Sequence, residues 1–536
     1  MKILVTDPIA ERGLELLRSE GWTLEQVSPK HADGIRLALA DATAWILRSG
    51  TQVTAELLEA APQLKVIGRA GVGVDNIDLD AATRRGVLVL NTPGGNAVSV
   101  AEHAFALLLA LARRVPLANE STRAGEWRKS EFSGYELKGK TLGLVGLGRI
   151  GQEVARRALA FEMSVVAHDP FVAAPLARDL GVELIPLEAL LARADFVSLH
   201  ATLTPETEKL LNRERLARCK RGVRVVNTAR GELIDEAALA EAIQSGQVAG
   251  AALDVFAHEP PHDSPLLKLP DVIATPHIAG STAEAQEEVG WRIAQQVRDY
   301  LKDGVVRNAV NLPTLSAEEY RRLRPYLELG ERLGAFAAQV AGPPMSRVSL
   351  RYAGEVGELN THLLRNAVLK GVLSRVVSEP ANLVNAATLA AERGLTLEET
   401  QVRRAQGFPD MLGVTLHADS RQFSVEGTVL HGTALRILAV DEIDIEAPLE
   451  GRLIFLRNRD VPGVIGQVGT LLGSHDINIA TFALGRREES GATGSLGFGS
   501  GVEAVALIRV DNPVSDAVLE ALRALPGVML ARLVEL

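Results

Sequence analysis

The sequence predicts an α/β protein: two doubly wound domains with parallel sheets, an α+β unit after them, and a ferredoxin-like unit at the C-terminus. Three observations carry this. Short β-branched runs alternate with helical stretches through the first 310 residues, the pattern of βαβ units. One such run ends in a glycine-rich turn, Gly146-Leu147-Gly148-Arg149-Ile150-Gly151, that opens a helix. From residue 451 onward the order reads strand, helix, strand, strand, helix, strand, a split βαβ unit.

Each element follows from its run. The first series of strands is Ile3–Thr6, Ala44–Leu47, Val66–Arg69 and Leu88–Asn91. The second is Thr141–Val145, Ser164–His168, Phe196–His200, Arg224–Thr228, Gly250–Val255 and Val272–Thr275. Between them Val98–Arg113 has a helical apolar spacing and would cross from one domain to the other. Ser281–Leu301 is helical too and would run back, leaving the first domain discontinuous with a cleft beside it. Asn311-Leu312-Pro313 marks a break. Helical runs near 317–340, 357–374 and 387–393 follow, then strands Gly413–His417, Phe423–Val429 and Leu435–Val440. The last unit consists of strand Arg452–Arg457, helix Gly463–Ser474, strands Asn478–Leu484 and Ala504–Val510, helix Val514–Ala524 and strand Val528–Val534. Gly485–Gly501 is rich in Gly, Ser and charge and reads as a mobile insertion.

Composition narrows the function. At roughly 150 residues per domain, 536 residues hold three or four domains. Apolar residues are 47% and charged residues 23%, as in globular domains. Lys plus Arg is 57 against 67 Asp plus Glu, and aromatics are 4%, so neither the basic footprint nor the stacking platform of a nucleic-acid binder is expected. The single cysteine, Cys219, excludes an internal disulfide and a cysteine-built metal site, and no metal is expected. The longest apolar run, Ala104–Ala112, is too short to span a bilayer. The opening MKILVTD reads as a strand rather than a leader, so a soluble, cytoplasmic location is expected.

The glycine turn has the spacing that dinucleotides require. Gly146 makes the tight turn, Gly148 lets a pyrophosphate approach the backbone at a helix N-terminus, and Gly151 permits close helix–strand packing. Asp169 closes the next strand 18 residues after Gly151, where an acid holds the adenosine ribose hydroxyls. It also repels a 2′-phosphate, so NAD is expected over NADP. Three polar groups then fall at strand ends, where open α/β sheets bind ligands: Arg230 in NTARG, Glu259 in DVFAHEP and His277 in TPHIAG. Removing a hydride from a carbinol also requires removing the hydroxyl proton. A histidine beside a carboxylate does this near neutral pH, and an arginine grips a carboxylate with two parallel hydrogen bonds.

Six stretches, GRAGVGVDNID (68–78), NTPGGNAVSVAEH (91–103), GKTLGLVGLGRIG (139–151), VNTARGELIDE (226–236), ALDVFAHEP (252–260) and TPHIAGST (275–282), resemble the D-isomer-specific 2-hydroxyacid dehydrogenase family. Over the whole chain the resemblance is to the family's long phosphoglycerate dehydrogenases. It implies two Rossmann-like domains, an intervening domain and a C-terminal ACT domain. The implied boundaries are 1–97 with 282–310 for substrate, 98–281 for NAD, 311–450 for the intervening allosteric domain and 451–536 for the ACT domain. Arg230, Glu259 and His277 match the family's catalytic set. NAD contacts fall on Val72, Arg149, Ile150, Asp169, Ala201, Thr228, Ala229, Asp254, Ile278, Ala279 and Gly280, besides the three turn glycines. Arg48, Ser49 and Arg69 match substrate loops. In GEWRK (125–129) Trp127 would anchor in a neighbouring subunit, with Arg128 and Lys129 facing that neighbour's substrate phosphate. Asn458, Asp460 and Asn478 match amino-acid effector positions.

What the resemblance implies is NAD-dependent oxidation of 3-phosphoglycerate to 3-phosphohydroxypyruvate, opening L-serine synthesis, in a homodimer or homotetramer open to L-serine control. Two other readings share the same residues: a dehydrogenase for another D-2-hydroxy acid such as glycerate, and a non-catalytic NAD-sensing corepressor.

Overall fold

The computed structural model describes all residues except 314, 316, 375–379, 404–407, 419–420 and 488–502. The first sheet has five parallel strands, in the spatial order Thr23–Gln26, Lys2–Val5, Ala44–Leu47, Val66–Arg69, Leu88–Leu90. The second has seven, in the order Val272–Ala274, Val248–Leu253, Val223–Asn227, Phe196–Leu199, Thr141–Val145, Ser164–His168, Glu183–Leu184. All of its pairs are parallel. Its strand order reverses beside Thr141–Val145, the switch point at which doubly wound sheets open a ligand crevice.

The helix Ala97–Arg113 lies against the second sheet, with Leu107, Leu108 and Leu111 buried in that sheet's core. The helix Ala283–Asp303 returns to the first sheet. There Ile293 and Val297 cover strand Val66–Arg69, close enough that a Cβ on Gly68 would meet both at 2.8 Å. Two connections therefore join the sheets and the cleft lies between them.

Past residue 311, a six-stranded sheet runs Thr396–Val402, Arg347–Gly354, Asp410–Ala418, Arg421–Leu430, Ala434–Val440, Ile443–Pro448, with helices Ala317–Ala341 and Thr361–Leu373 against it. The C-terminal sheet is antiparallel, in the order Ile479–Arg486, Glu503–Val510, Arg452–Arg459, Val528–Glu535. Helices Val464–Ser474 and Asp516–Arg523 cover one face. Its other face joins the intervening core: Phe455 stands 6.1 Å from Phe336 and 5.8 Å from Phe423, both contacts edge-on.

Five strands escape the sequence reading: Thr23–Gln26, Glu183–Leu184, Arg347–Gly354, Thr396–Val402 and Ile443–Pro448. Four of them end a sheet, where one exposed side removes the need for an apolar run. The expected insertion at Gly485–Gly501 begins later. Gly485 and Arg486 continue a strand, and a Cβ at 485 would stand 2.3 Å from the Asp444 carbonyl, so the glycine serves close packing. The remainder, 488–501, lies outside the described residues. No described helix is long and apolar enough to cross a membrane.

Candidate active site

The glycine turn has the shape its spacing predicts. Gly146 sits at φ +100°, where a side chain is strained, and its Cβ would meet the His200 carbonyl at 2.6 Å. A Cβ on Gly151 would stand 2.3 Å from the Gly146 oxygen, while one on Gly148 would meet nothing within 4 Å. The middle glycine thus faces open space at the N-terminus of helix Arg149–Ala160, a cradle for a pyrophosphate. Asp169 folds back to this turn, accepting from the Leu147 amide at 2.8 Å and the Phe171 amide at 2.9 Å. Arg149 reaches the other way and donates to the carbonyl of Pro93 on the first domain.

A cleft of about 460 Å³ opens between the two sheets. Arg48, Ser49, Arg69 and Val72 line it from one side; Ile150, Ala201, Thr228, Ala229, Arg230, His277, Ala279 and Gly280 line it from the other. Six buried side-chain polar atoms among the described residues lack a hydrogen-bond partner. Four of them, Arg69 Nε, Asn96 Oδ1, His200 Nδ1 and Thr228 Oγ1, belong to residues of this cleft. Such orphans are rare and costly in a folded protein, and their gathering in one crevice fits a polar ligand there.

The His277 imidazole Nδ1 lies 2.8 Å from Glu259 Oε2, and Glu259 Oε1 accepts from the Phe256 amide at 3.1 Å. The hydrogen bond to Glu259 raises the His277 pKa above the ordinary histidine value, outweighing burial and the repulsion of Arg230. Burial opposes ionisation of Glu259, yet the bond from His277 and its charge hold that carboxyl below its usual range. His277 adopts φ 52°, a left-handed conformation costing about 1–2 kcal/mol in a non-glycine residue. Asp254 offsets that cost. Its carbonyl accepts from the His277 amide at 2.8 Å, and its fully buried carboxylate accepts from the amides of Ile278 and Ala279 at 2.9 and 2.8 Å and from Thr275 Oγ1 at 2.6 Å. Asp254 is therefore spent on the turn that carries His277 and does not line the cleft. His103 Nε2, 3.1 Å from Thr275 Oγ1 and 3.3 Å from Asp254, extends this network. Burial pushes His200 down to about 4, so its ring is neutral.

Arg230, Arg48 and Arg69 converge on the cleft. Burial first, then the charges of Arg230 and Arg48, push Arg69 down to about 10, still cationic at neutral pH. Two loops hold this group. Asp7 accepts from the Arg48 amide at 2.9 Å and from Thr51 Oγ1 at 2.6 Å, while Asn76 donates to the carbonyls of Arg48 and Thr51 at 2.8 and 2.6 Å. Asp75, whose place inside GRAGVGVDNID carries no signal of a role, lies 2.8 Å from Arg230 Nη2.

The remaining expected residues lie elsewhere. Trp127 is 84% exposed, Lys129 is exposed, and Arg128 pairs with its neighbours Glu126 and Glu131. In the C-terminal sheet Asn458 is buried, and Asp460 contacts Arg486 at 3.1 Å. Asn478 lies at the opposite end, since Arg486 pairs with Ala504 beside Asn458 whereas Ile479 pairs with Val510 beside Arg452. At about 3.3 Å per residue, one small effector cannot touch both ends within a chain.

Comparison with known proteins accords with this architecture. Residues 105–279 match the NAD binding domain of D-isomer specific 2-hydroxyacid dehydrogenases, 322–441 the D-3-phosphoglycerate dehydrogenase intervening domain and 452–527 the ACT domain. The chain is 42% identical over 537 residues to D-3-phosphoglycerate dehydrogenase of Archaeoglobus fulgidus, covering 100% of both chains. It is 39% identical to that of Bacillus subtilis, covering 100% of this chain and 99% of the relative. Among solved structures, an NAD-dependent formate dehydrogenase from Staphylococcus aureus in complex with NAD is 32% identical, with a TM-score of 0.51 over 56% of this chain and 96% of that one. By its matched domains and its full-length relatives, the chain belongs to the D-3-phosphoglycerate dehydrogenase family of D-isomer-specific 2-hydroxyacid dehydrogenases.

Proposed function

We propose that this protein oxidises the 2-hydroxyl of 3-phospho-D-glycerate with NAD, giving 3-phosphohydroxypyruvate, NADH and a proton, the first step of L-serine synthesis. One observation carries the reading: an arginine suited to grip a carboxylate, a histidine backed by a glutamate and two further arginines converge on one cleft beside a dinucleotide turn. Bound NAD supplies the hydride acceptor. Arg230 orients the substrate carboxylate. With Nδ1 committed to Glu259, His277 Nε2 takes the hydroxyl proton. Arg48 and Arg69 hold the phosphate. Asp169 selects the unphosphorylated ribose, and Asp254 keeps the His277 turn in place.

The protein works in the cytoplasm as a homodimer or homotetramer, with Trp127, Arg128 and Lys129 reaching toward a second copy's substrate. Asn458 and Asp460 at one end of the C-terminal sheet and Asn478 at the other favour an amino-acid effector, L-serine first, held between two copies. The test is NADH formation with 3-phosphoglycerate against D-glycerate, with and without L-serine. Preference for the phosphorylated acid supports the reading. Equal turnover of both moves the assignment to a general D-2-hydroxy acid dehydrogenase, and NADH binding without turnover moves it to a sensor.

A further inference from the structure

In this structure the fork of Arg230 is already filled by the chain's own carboxylate. Arg230 Nε lies 3.0 Å and Nη2 2.8 Å from the same oxygen, Asp75 Oδ2. The third nitrogen, Nη1, donates to the Ala229 carbonyl at 2.6 Å. The Nε–Nη2 edge is therefore taken by Asp75, and three of the five N–H donors are engaged within the chain. The contact also crosses the cleft, since Asp75 follows strand Val66–Arg69 of the first sheet and Arg230 follows strand Val223–Asn227 of the second. Room for it depends on Gly73, where a Cβ would stand 1.9 Å from Arg230 Nη2 and 2.8 Å from Asp75 Oδ2.

Two features make the pair exchangeable rather than fixed. Asp75 is 66% exposed against 27% for Arg230, so the carboxylate can swing into water at little desolvation cost while the arginine stays. Arg48 and Arg69 stand in the same cleft, so an anion entering there meets two further cations, and Asp75 is the one acid among the residues lining it.

We propose that Asp75 is an internal competitor for the substrate carboxylate: it occupies the Arg230 fork when the cleft is free, and a 2-hydroxy acid must displace it to bind. It holds the arginine extended toward the cleft before binding, and it weakens capture of every carboxylate by the cost of that exchange. This rests on the proposed role of Arg230, and it makes Asp75 a positioning residue that acts through that arginine.

The experiment is a titration of the NADH-bound enzyme with oxalate, an unreactive carboxylate, followed by nicotinamide fluorescence, in full-length wild type, Asp75→Asn and Asp75→Glu. Asparagine keeps a hydrogen-bond acceptor for Arg230 but removes the charge; glutamate keeps the charge. The expected result is that oxalate binds Asp75→Asn at least threefold more tightly than wild type, that Asp75→Glu returns toward the wild-type value, and that KM for the turned-over acid falls in the same order. Equal or weaker oxalate binding by Asp75→Asn, with NADH affinity and Tm unchanged, overturns the proposal, and so does a failure of oxalate to bind any of the three. Because oxalate binding needs no turnover, inactivity toward 3-phosphoglycerate would count against the proposed function alone.

Discussion

His277 shows how single residues are tuned here. Oxidation needs the imidazole neutral so that it can accept a proton, while its Nδ1 bond to Glu259 favours the protonated form and raises its pKa. The oxidation rate should therefore climb with pH through a midpoint above the ordinary histidine value of 6.5. In Glu259→Gln the anion is gone; burial, the largest remaining influence, and Arg230 oppose the imidazolium, and only the weaker pull of Asp254 favours it. The expected result is a midpoint below 6.5, read from kcat/KM against pH; an unmoved midpoint would remove Glu259 from the proton's control. Arg230→Lys replaces a planar fork by a point charge. Losing charge-assisted bonds of about 1.5–3 kcal/mol predicts roughly a 10- to 100-fold fall in kcat/KM with NADH affinity retained, measured by steady-state kinetics beside a fluorescence titration. The sequence made Arg230, Glu259 and His277 legible because each follows a strand in a recognisable stretch. It did not reveal Asp75 or the structural burden on Asp254, because an acid's role depends on the partner folding brings to it, and Arg230 is 155 residues from Asp75.

At the scale of elements, the strands written in buried β-branched runs were readable almost to the residue. Ala44–Leu47, Val66–Arg69, Thr141–Val145 and Ser164–His168 have the expected bounds. Thr23–Gln26 and Thr396–Val402 were not, since TLEQ and TLEETQV are polar edge strands whose formation is decided by backbone pairing to Lys2–Val5 and Arg347–Gly354. The turn between Thr141–Val145 and Arg149–Ala160 was legible because each glycine answers a separate demand: positive φ, open space, close packing. The structure adds that Asp169 braces this turn through the Leu147 amide, beside the ribose contact proposed for it. Asp169→Ala should then weaken NAD binding by more than a surface acid would. One charge-assisted bond of about 1.5–3 kcal/mol predicts a roughly 10- to 100-fold rise in Kd, with NADP losing less than NAD. Fluorescence titration with both reduced cofactors measures it, and an unchanged NADH Kd would leave the acid only a structural part.

Across the whole molecule, the C-terminal unit reads in sequence as separable, a complete βαββαβ order after residue 451. Its packing says otherwise. Leu453, Phe455, Val505, Leu507 and Val534 of the C-terminal sheet share one buried core with Phe336, Phe423, Ile443 and Leu449 of the intervening unit. Gln339 binds both backbone groups of Glu535 at 3.1 Å. The link from this combined arm to the catalytic part is narrower. Asn382 donates to the Gly86 carbonyl at 2.8 Å, Asn385 to the Arg84 carbonyl at 3.3 Å, and Val384 enters the core of the first sheet. Burying one large apolar side chain contributes about 1.5–3 kcal/mol, and a domain's whole stability is about 5–15 kcal/mol. Cutting at residue 450 uncovers several such side chains on the intervening unit at once; cutting at residue 310 leaves both parallel sheets, the cleft and the helix Ala283–Asp303 whole. The shorter protein, 1–310, should therefore melt cooperatively and bind NADH, whereas 1–450 should show an early, low-temperature transition and bind the hydrophobic dye ANS. Differential scanning calorimetry of the two truncations and the full chain separates these outcomes. If 1–450 melts like the full-length protein without dye binding, the shared core contributes little, and the arm is two independent domains in contact.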